Sequence, residues 1–145
     1  QVFPNSRNVI PGRVQFSVDL RHPDSAVLSE MSASFQKQID TLSAEHRMPI
    51  TLEEVSYFPP CSFDLACIDA IRESSKDLGY SQMDVVSGAG HDAIYIARLA
   101  PTGMIFIPCK DGISHNEIED ARTDHLEAGA NVLLHSILRF AKPVI

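Results

Sequence analysis

Four residues of this sequence have types and positions suited to binding a small polar molecule. Asn8 lies in a loop-forming segment, and Arg21 ends a run in which apolar and polar residues alternate. His91 lies in a glycine-rich segment, and His115 lies in a polar one. An arginine can clamp a carboxylate with two parallel hydrogen bonds, and a histidine can bind a metal ion or donate to a developing oxyanion.

Each of these features also has an ordinary structural interpretation. Asn8 could serve only in a turn, and Arg21 could pair with a neighbouring aspartate at the surface. The segment around His91 follows neither the serine nucleophile pattern nor the phosphate-binding loop, and glycine turns between a strand and a helix are common. His115 alone cannot build a metal site, because catalytic zinc usually takes three or more protein ligands. Residue types alone leave both interpretations open.

The composition excludes several classes of protein. A net charge of -7 at pH 7 disfavours binding to nucleic acid or to an anionic membrane. No apolar run approaches the roughly 20 residues that span a bilayer. Three cysteines without a C-x-x-C pair argue against a disulfide framework and favour a cytoplasmic location. The chain shows no signal peptide and no initial methionine, so we expect it to begin inside a longer gene product.

The first part of the chain predicts a strand, a helix and a second strand. Residues 13–21 alternate as a half-buried strand does, and a helix capped by Asp24 or Ser25 should run to about residue 46. Residues 50–58 predict the second strand. The consecutive prolines at residues 59 and 60 then predict a domain boundary.

The second part alternates helices and short strands. Helices are predicted over residues 63–78, with Gly79 as the C-cap glycine, and over residues 92–99. Short strands are predicted at residues 85–86 and 104–107, and Thr123 is predicted to cap a last helix. This order of elements indicates an α/β fold.

Four segments together resemble the hydantoinase/carbamoylase family of amidases. They are Asn8 to Gly12, Phe16 to Arg21, the SGAGHDA segment of residues 87–93, and Lys110 to His115. The family comprises N-carbamoyl-L-amino-acid hydrolases, beta-ureidopropionase and allantoate amidohydrolase, within a clan of aminoacylase-like dinuclear zinc metallopeptidases. The resemblance covers essentially the whole chain.

The resemblance implies a particular division of the α/β fold. Residues 1–60 correspond to the C-terminal half of an α+β lid, which also forms the dimer. Residues 61–145 correspond to the C-terminal half of a zinc-peptidase-like catalytic domain.

The resemblance also implies a role for each candidate residue. Asn8 and Arg21 match positions that hold the substrate carboxylate. Gly90 and His91 match the loop that contacts the substrate, with His91 as the catalytic residue that stabilises the oxyanion. His115 matches the last ligand of two divalent metal ions, zinc or manganese. The other ligands and the general base lie outside this sequence, so the chain alone should be inactive.

The implied activity is hydrolysis of the carbamoyl C–N bond of an N-carbamoyl amino acid, which releases ammonia and carbon dioxide. The implied protein is a cytoplasmic homodimer that binds neither nucleic acid nor a membrane. One alternative is a non-catalytic fragment or self-association module. Another is an allantoate amidohydrolase or an aminoacylase or peptidase of the wider clan. The sequence leaves the carbamoyl substrate and the identity of the metal open.

Overall fold

The chain divides into two compact units. A computed structural model describes residues 1–141; the first unit is Gln1–Pro60, and the second begins at Cys61. The division falls at the two prolines that the sequence marks as a boundary. The assignment of these units to a lid and a catalytic domain stays a prediction. None of the helices in residues 1–141 is long and apolar enough to cross a membrane.

The first unit begins with a short antiparallel hairpin. Strand β1 (Val2–Phe3) pairs with strand β2 (Arg13–Val14), and Val2 lies opposite Val14. The N–H group of Gly12 donates to the carbonyl of Phe3 at 2.8 Å, which closes the loop of residues 4–12 at its base. The hairpin therefore fixes both ends of the loop that contains the candidate residue Asn8.

The predicted strand over residues 13–21 is wrong in its length. Regular pairing stops after β2, and Phe16 and Val18 are 77% and 47% exposed. The last bond of this hairpin joins the N–H group of Gln15 to the carbonyl of Gln1 at 2.9 Å. Residues 16–21 have no partner strand among residues 1–141, so their alternation does not become a paired strand.

The other predicted strands are also absent from the described chain. Residues 50–58, 85–86 and 104–107 carry no regular secondary structure, and β1 and β2 form the only sheet within residues 1–141. An apolar segment becomes a strand only where a partner supplies hydrogen bonds to its backbone. These segments have no such partner among the described residues, so their strand-like composition is not realised.

Helix α1 (Ser25–His46) follows the sequence prediction closely. The side chain of Asp24 caps it and accepts a hydrogen bond from the N–H group of Ala26 at 2.7 Å. At the other end, Arg47 adopts a left-handed conformation with a φ of 49° and stops the helix. Both ends are set by local groups, which is why sequence patterns predict them well.

The second unit is built on two packed helices, α2 (Leu65–Asp77) and α4 (Thr123–Phe140). Small side chains predominate among the buried residues of these helices, and they let the two helices approach closely. The buried residues are Ala70, Ser74, Ser75, Val132 and Ser136. The guanidinium of Arg139 on α4 links the pair by donating to the hydroxyl of Ser74 at 3.0 Å and to the carboxylate of Glu73 at 2.7 Å.

The helix ends of the second unit agree with the predictions in part. Asp64 caps α2 by accepting from the N–H group of Cys67 at 3.0 Å. Gly79 follows α2 with a φ of 74°, as predicted for a C-cap glycine. Thr123 is not the cap of α4: Arg122 takes that position, and its side chain makes no capping hydrogen bond but pairs with the carboxylate of Asp124. A threonine hydroxyl can cap only from the residue before the first helical one.

Candidate functional site

The segment just before the glycine-rich loop of residues 87–93 is hydrogen-bonded to helix α2. The Nε atom of Arg72 donates to the carboxylate of Asp84 at 3.1 Å, and the same guanidinium pairs with Asp69 at 2.5 Å. The Arg72 guanidinium holds the pKa of Asp84 below its usual range. The loop that begins at Ser87 therefore starts close to a point of attachment on α2.

His91 is held between a hydroxyl and an aromatic ring. Its Nε2 atom lies 2.6 Å from the Oγ atom of Ser87. The ring of Phe106 approaches edge-on, with 5.5 Å between the ring centroids and an angle of 61° between the planes. The backbone carbonyl of His91 accepts from the N–H group of Ile94 at 3.0 Å, at the start of the short helix α3 (Ala93–Ile96). The imidazole is half-buried, so one part of it remains open to a ligand.

Gly90 adjoins His91 in a sparsely packed part of the loop. A Cβ atom built on Gly90 would have no atom within 4 Å. The backbone around it is accordingly accessible to a small molecule, as the sequence predicts for a loop in which main chain approaches a substrate. The role of Gly90 in contacting the substrate stays a prediction.

His115 lies in a loop with an unusual backbone. Its φ of 56° is left-handed, and its N–H group donates to the carboxylate of Glu119 at 2.7 Å. The loop is closed at its base, where the N–H group of Lys110 donates to the carbonyl of Asp120 at 2.7 Å. The side chains of Lys110 and Asp120 also form an ion pair at 3.6 Å. Glu119 therefore holds the turn that presents His115.

Glu119 has no role in the sequence-based predictions, although its spacing from Asn116 indicates that it could bond to the backbone of this loop. Asn116 and Glu119 have the spacing of a helix capping box, in which the first residue caps the turn and the fourth reaches back to the backbone. Asn116 accepts from the N–H group of Ile118 at 3.2 Å. Glu119 reaches one residue further back than in a standard box, to His115.

Arg21 pairs with its neighbour Asp19 in this structure. Its Nε atom donates to the carboxylate of Asp19 at 3.0 Å, and a terminal nitrogen donates to the same carboxylate at 2.5 Å. The guanidinium therefore binds both carboxylate oxygens. This contact raises the pKa of Arg21 and lowers the pKa of Asp19. The Arg21 side chain is 60% exposed. Arg21 thus makes the surface ion pair with a neighbouring aspartate that the sequence allows. The same contact shows that its guanidinium is oriented to hold a carboxylate through two nitrogens.

Asn8 lies in the turn of the loop closed by β1 and β2, and it is exposed. It belongs to the first unit together with Arg21, whereas His91 and His115 belong to the second. Within the second unit no hydrogen bond or ring contact joins His91 to His115. The structure thus brings His91 together with Ser87, which the sequence interpretation did not select.

Residues 6–139 match peptidase family M20/M25/M40. The chain belongs to this family. The match covers nearly the whole described chain and includes every candidate site residue.

Curated relatives of this M20/M25/M40 chain include amidohydrolases. It is 45% identical over 141 residues to the N-carbamoyl-L-amino-acid amidohydrolase of Rhizobium meliloti, which covers 97% of this chain and 34% of that protein. It is 35% identical over 138 residues to the allantoate amidohydrolase of Bacillus subtilis (strain 168), over 95% of this chain and 34% of that protein. The chain therefore spans about a third of the length of these relatives.

A solved structure supports the same relationship. The hydantoinase/carbamoylase family amidase from Burkholderia multivorans superposes with a TM-score of 0.95 at 55% identity, over 99% of this chain and 35% of that one. The predicted resemblance to these amidases is confirmed, and so is the α/β fold class. The paired helices and the one short sheet of residues 1–141 correspond to about a third of that solved chain.

The residues of this M20/M25/M40 chain do not by themselves build a metal site. Within residues 1–141, no three His, Cys, Asp or Glu side chains lie close enough together to hold a metal ion. His115 offers one imidazole, and the Glu119 carboxylate beside it is engaged by the backbone. A metal ion at His115 would need its other ligands from outside the described residues.

Proposed function

We propose that the complete protein containing this chain hydrolyses the ureido group of N-carbamoyl amino acids. One water and one carbamoyl amino acid give one ammonia, one carbon dioxide and one free amino acid. The observation that carries the proposal is the 45% identity to an N-carbamoyl-L-amino-acid amidohydrolase, which extends over 141 residues of this chain.

The geometry of Arg21 supports recognition of a substrate carboxylate. The fork already holds one carboxylate, that of Asp19, and the guanidinium remains well exposed. A substrate carboxylate can share or replace this partner, because arginine has five N–H donors in a fixed plane. Asn8, on the exposed loop of the same unit, is proposed as the second residue that holds this carboxylate.

The surroundings of His91 support a role at the reacting carbonyl. Attack on a ureido carbonyl places negative charge on its oxygen, and a positioned hydrogen-bond donor stabilises that charge. His91 is half-buried and its ring is restrained by Ser87 and Phe106, so it could offer such a donor with little reorganisation. Gly90 is proposed to let the substrate approach the adjacent backbone.

Metal dependence is part of the same proposal. Peptidases of this family generally use divalent metal ions, and His115 is proposed as one ligand of a zinc or manganese ion. Because no three potential ligand side chains lie together among the described residues, we propose that the 145-residue chain is inactive alone. The complete protein is proposed to be a cytoplasmic homodimer formed through residues 1–60.

Two other activities remain candidates for specific reasons. Allantoate contains ureido groups and a carboxylate, and the chain is 35% identical to an allantoate amidohydrolase. Peptide hydrolysis is the activity in the name of the family that matches residues 6–139.

The isolated chain could also self-associate, because α4 exposes Leu133, Leu134 and Ile137 by 52%, 53% and 55%.

A comparison of substrates tests the proposal. The complete protein, supplied with manganese or zinc, is incubated with N-carbamoyl-L-amino acids, N-carbamoyl-β-alanine, allantoate and dipeptides. Equal release of ammonia and amino acid from the first class, at the highest kcat/KM, would support it. Preference for allantoate or for dipeptides would replace it with one of the alternatives. The 145-residue chain, assayed in parallel, should release nothing.

A further inference from the structure

The hydroxyl of Ser87 makes two contacts for which the proposed function has no role. Its Oγ atom lies 2.6 Å from Nε2 of His91 and accepts from the N–H group of Ala89 at 3.2 Å. A serine hydroxyl has one proton and two lone pairs. The bond from Ala89 uses one lone pair, so the contact with His91 involves either the proton or the second lone pair.

These two possibilities leave His91 with different chemistry. If Ser87 donates to Nε2, a neutral ring carries its proton on Nδ1 and can donate from that atom. If Nε2 instead donates to Ser87, Nδ1 of the neutral ring is only an acceptor. A residue that stabilises an oxyanion must donate. Only the first arrangement leaves neutral His91 with a free donor.

We propose that Ser87 is a positioning residue for His91, whose hydroxyl donates to Nε2 and so keeps the N–H group of Nδ1 available for the substrate. This inference rests on the proposed function, since it assigns a tautomer to the histidine that would face the reacting carbonyl. Hydrogen bonds of this kind commonly determine which nitrogen of a histidine carries the proton.

The packing of the loop makes Ser87 important for the orientation of His91. A Cβ atom on Gly90 would meet nothing within 4 Å, so surrounding side chains give little restraint to the backbone next to His91. Phe106 contacts the imidazole edge-on and limits its movement without selecting a tautomer. Ser87 makes the side-chain hydrogen bond to the imidazole of His91, and this bond therefore sets both the ring angle and the proton position.

The test compares Ser87→Ala with Ser87→Thr in the complete protein. Ser81→Ala is the matched control, because Ser81 is an exposed serine in the same segment. The tautomer of His91 is read from nitrogen chemical shifts of 15N-histidine-labelled protein at about pH 8.5, where an ordinary imidazole is neutral. His91→Gln identifies its signals.

We expect a proton on Nδ1 in the unsubstituted protein and in Ser81→Ala. In Ser87→Ala the proton should shift toward Nε2, which histidine in water favours, and kcat for the carbamoyl substrate should fall about fivefold with little change in KM. Ser87→Thr retains the hydroxyl and should restore both. A proton on Nε2 in the unsubstituted protein, or an unchanged tautomer in Ser87→Ala, would overturn the proposal.

The tautomer measurement separates this inference from the proposed function. If Ser87→Ala shifts the proton but the unsubstituted protein releases no ammonia from any carbamoyl substrate, the coupling of Ser87 to His91 stands and the proposed reaction fails. If ammonia is released normally and the tautomer does not respond to Ser87→Ala, the positioning role fails and the reaction stands.

Discussion

The carboxylate of Glu119 accepts a 2.7 Å hydrogen bond from the backbone N–H group of His115, whose φ is 56°. A left-handed conformation costs a residue other than glycine about 1–2 kcal/mol. A hydrogen bond to a charged group contributes about 1.5–3 kcal/mol, which can offset that cost. The turn that presents the His115 imidazole therefore depends on Glu119.

Replacement of Glu119 by alanine should weaken metal binding by the complete protein. The loop around His115 would lose the acceptor that stabilises its left-handed turn, and we expect metal affinity to fall about tenfold, as for other residues that orient a ligand. The measurement is metal content after dialysis against buffers of fixed free zinc. Glu117→Ala is the matched control, because Glu117 lies in the same loop and is exposed.

His115→Ala should lower metal content further than Glu119→Ala, since it removes the proposed ligand itself. Full occupancy in His115→Ala would show that this histidine is not a ligand. Equal affinities for Glu119→Ala and Glu117→Ala would show that the hydrogen bond to the His115 backbone does not support metal binding.

Arg21→Ala should raise KM for a carbamoyl amino acid by about 10- to 100-fold, the range expected when a hydrogen-bonded charge partner is lost. The increase should vanish for a substrate whose carboxylate is replaced by an amide. Lys37→Ala also removes one positive charge from an exposed position in the first unit, and it should leave KM unchanged. An unchanged KM in Arg21→Ala would rule out the carboxylate clamp.

Gly129→Ala should destabilise the protein although alanine favours helices. A Cβ atom on Gly129 of α4 would lie 2.7 Å from Cγ2 of Ile107, a β-branched side chain that cannot easily turn away. Overpacking costs about 1–3 kcal/mol, against a gain of about 1 kcal/mol in helix propensity. We expect a lower midpoint of urea denaturation.

A double substitution isolates this contact. Ile107→Ala removes the methyl group that Gly129→Ala would strike, so Gly129→Ala should not destabilise a protein that already carries Ile107→Ala. Destabilisation of equal size in both backgrounds would mean that another contact is responsible.

Cys67 should react slowly with iodoacetamide near neutral pH. Burial raises the pKa of its thiol, and the charge of Asp64 raises it further. A raised pKa leaves less thiolate at a given pH, and thiolate is the reactive form. The alkylation rate of Cys67, followed by mass spectrometry, should therefore still be rising above the ordinary thiol pKa of about 8.5.

Asp64→Asn keeps an amide oxygen at the N-cap of α2 but removes the negative charge. It should move the pH midpoint of Cys67 alkylation downward only in part, because burial is the larger cause of the raised pKa. A midpoint below 8.5 in the unsubstituted protein would contradict the assigned environment.

The sequence predicted the helices better than the strands because their ends are fixed locally. Asp24 caps α1 and Gly79 follows α2 as expected, through groups within a few residues. A strand requires a partner that can be distant in the chain. The alternation over residues 13–21 could not reveal that pairing with β1 covers only two residues of β2, which stops at Val14.

The candidate site was predictable in its residue types but not in its contacts. The glycines beside His91 and the loop around His115 marked both histidines for attention. The partners Ser87 and Glu119 are ordinary surface residues by type, and only the folded loop shows which atoms they contact. For Arg21, the sequence allowed a pair with either Asp19 or Asp24, and the structure selects Asp19.

We propose that the complete protein cleaves the terminal C–N bond of a ureido group. The most direct measurement uses an N-carbamoyl-L-amino acid labelled with 15N at the terminal ureido nitrogen, with products followed by mass spectrometry. All released ammonia should carry the label, the amino acid should carry none, and the two should form in equal amounts. Absence of labelled ammonia from the metal-loaded protein, together with amino acid release from dipeptides, would contradict it.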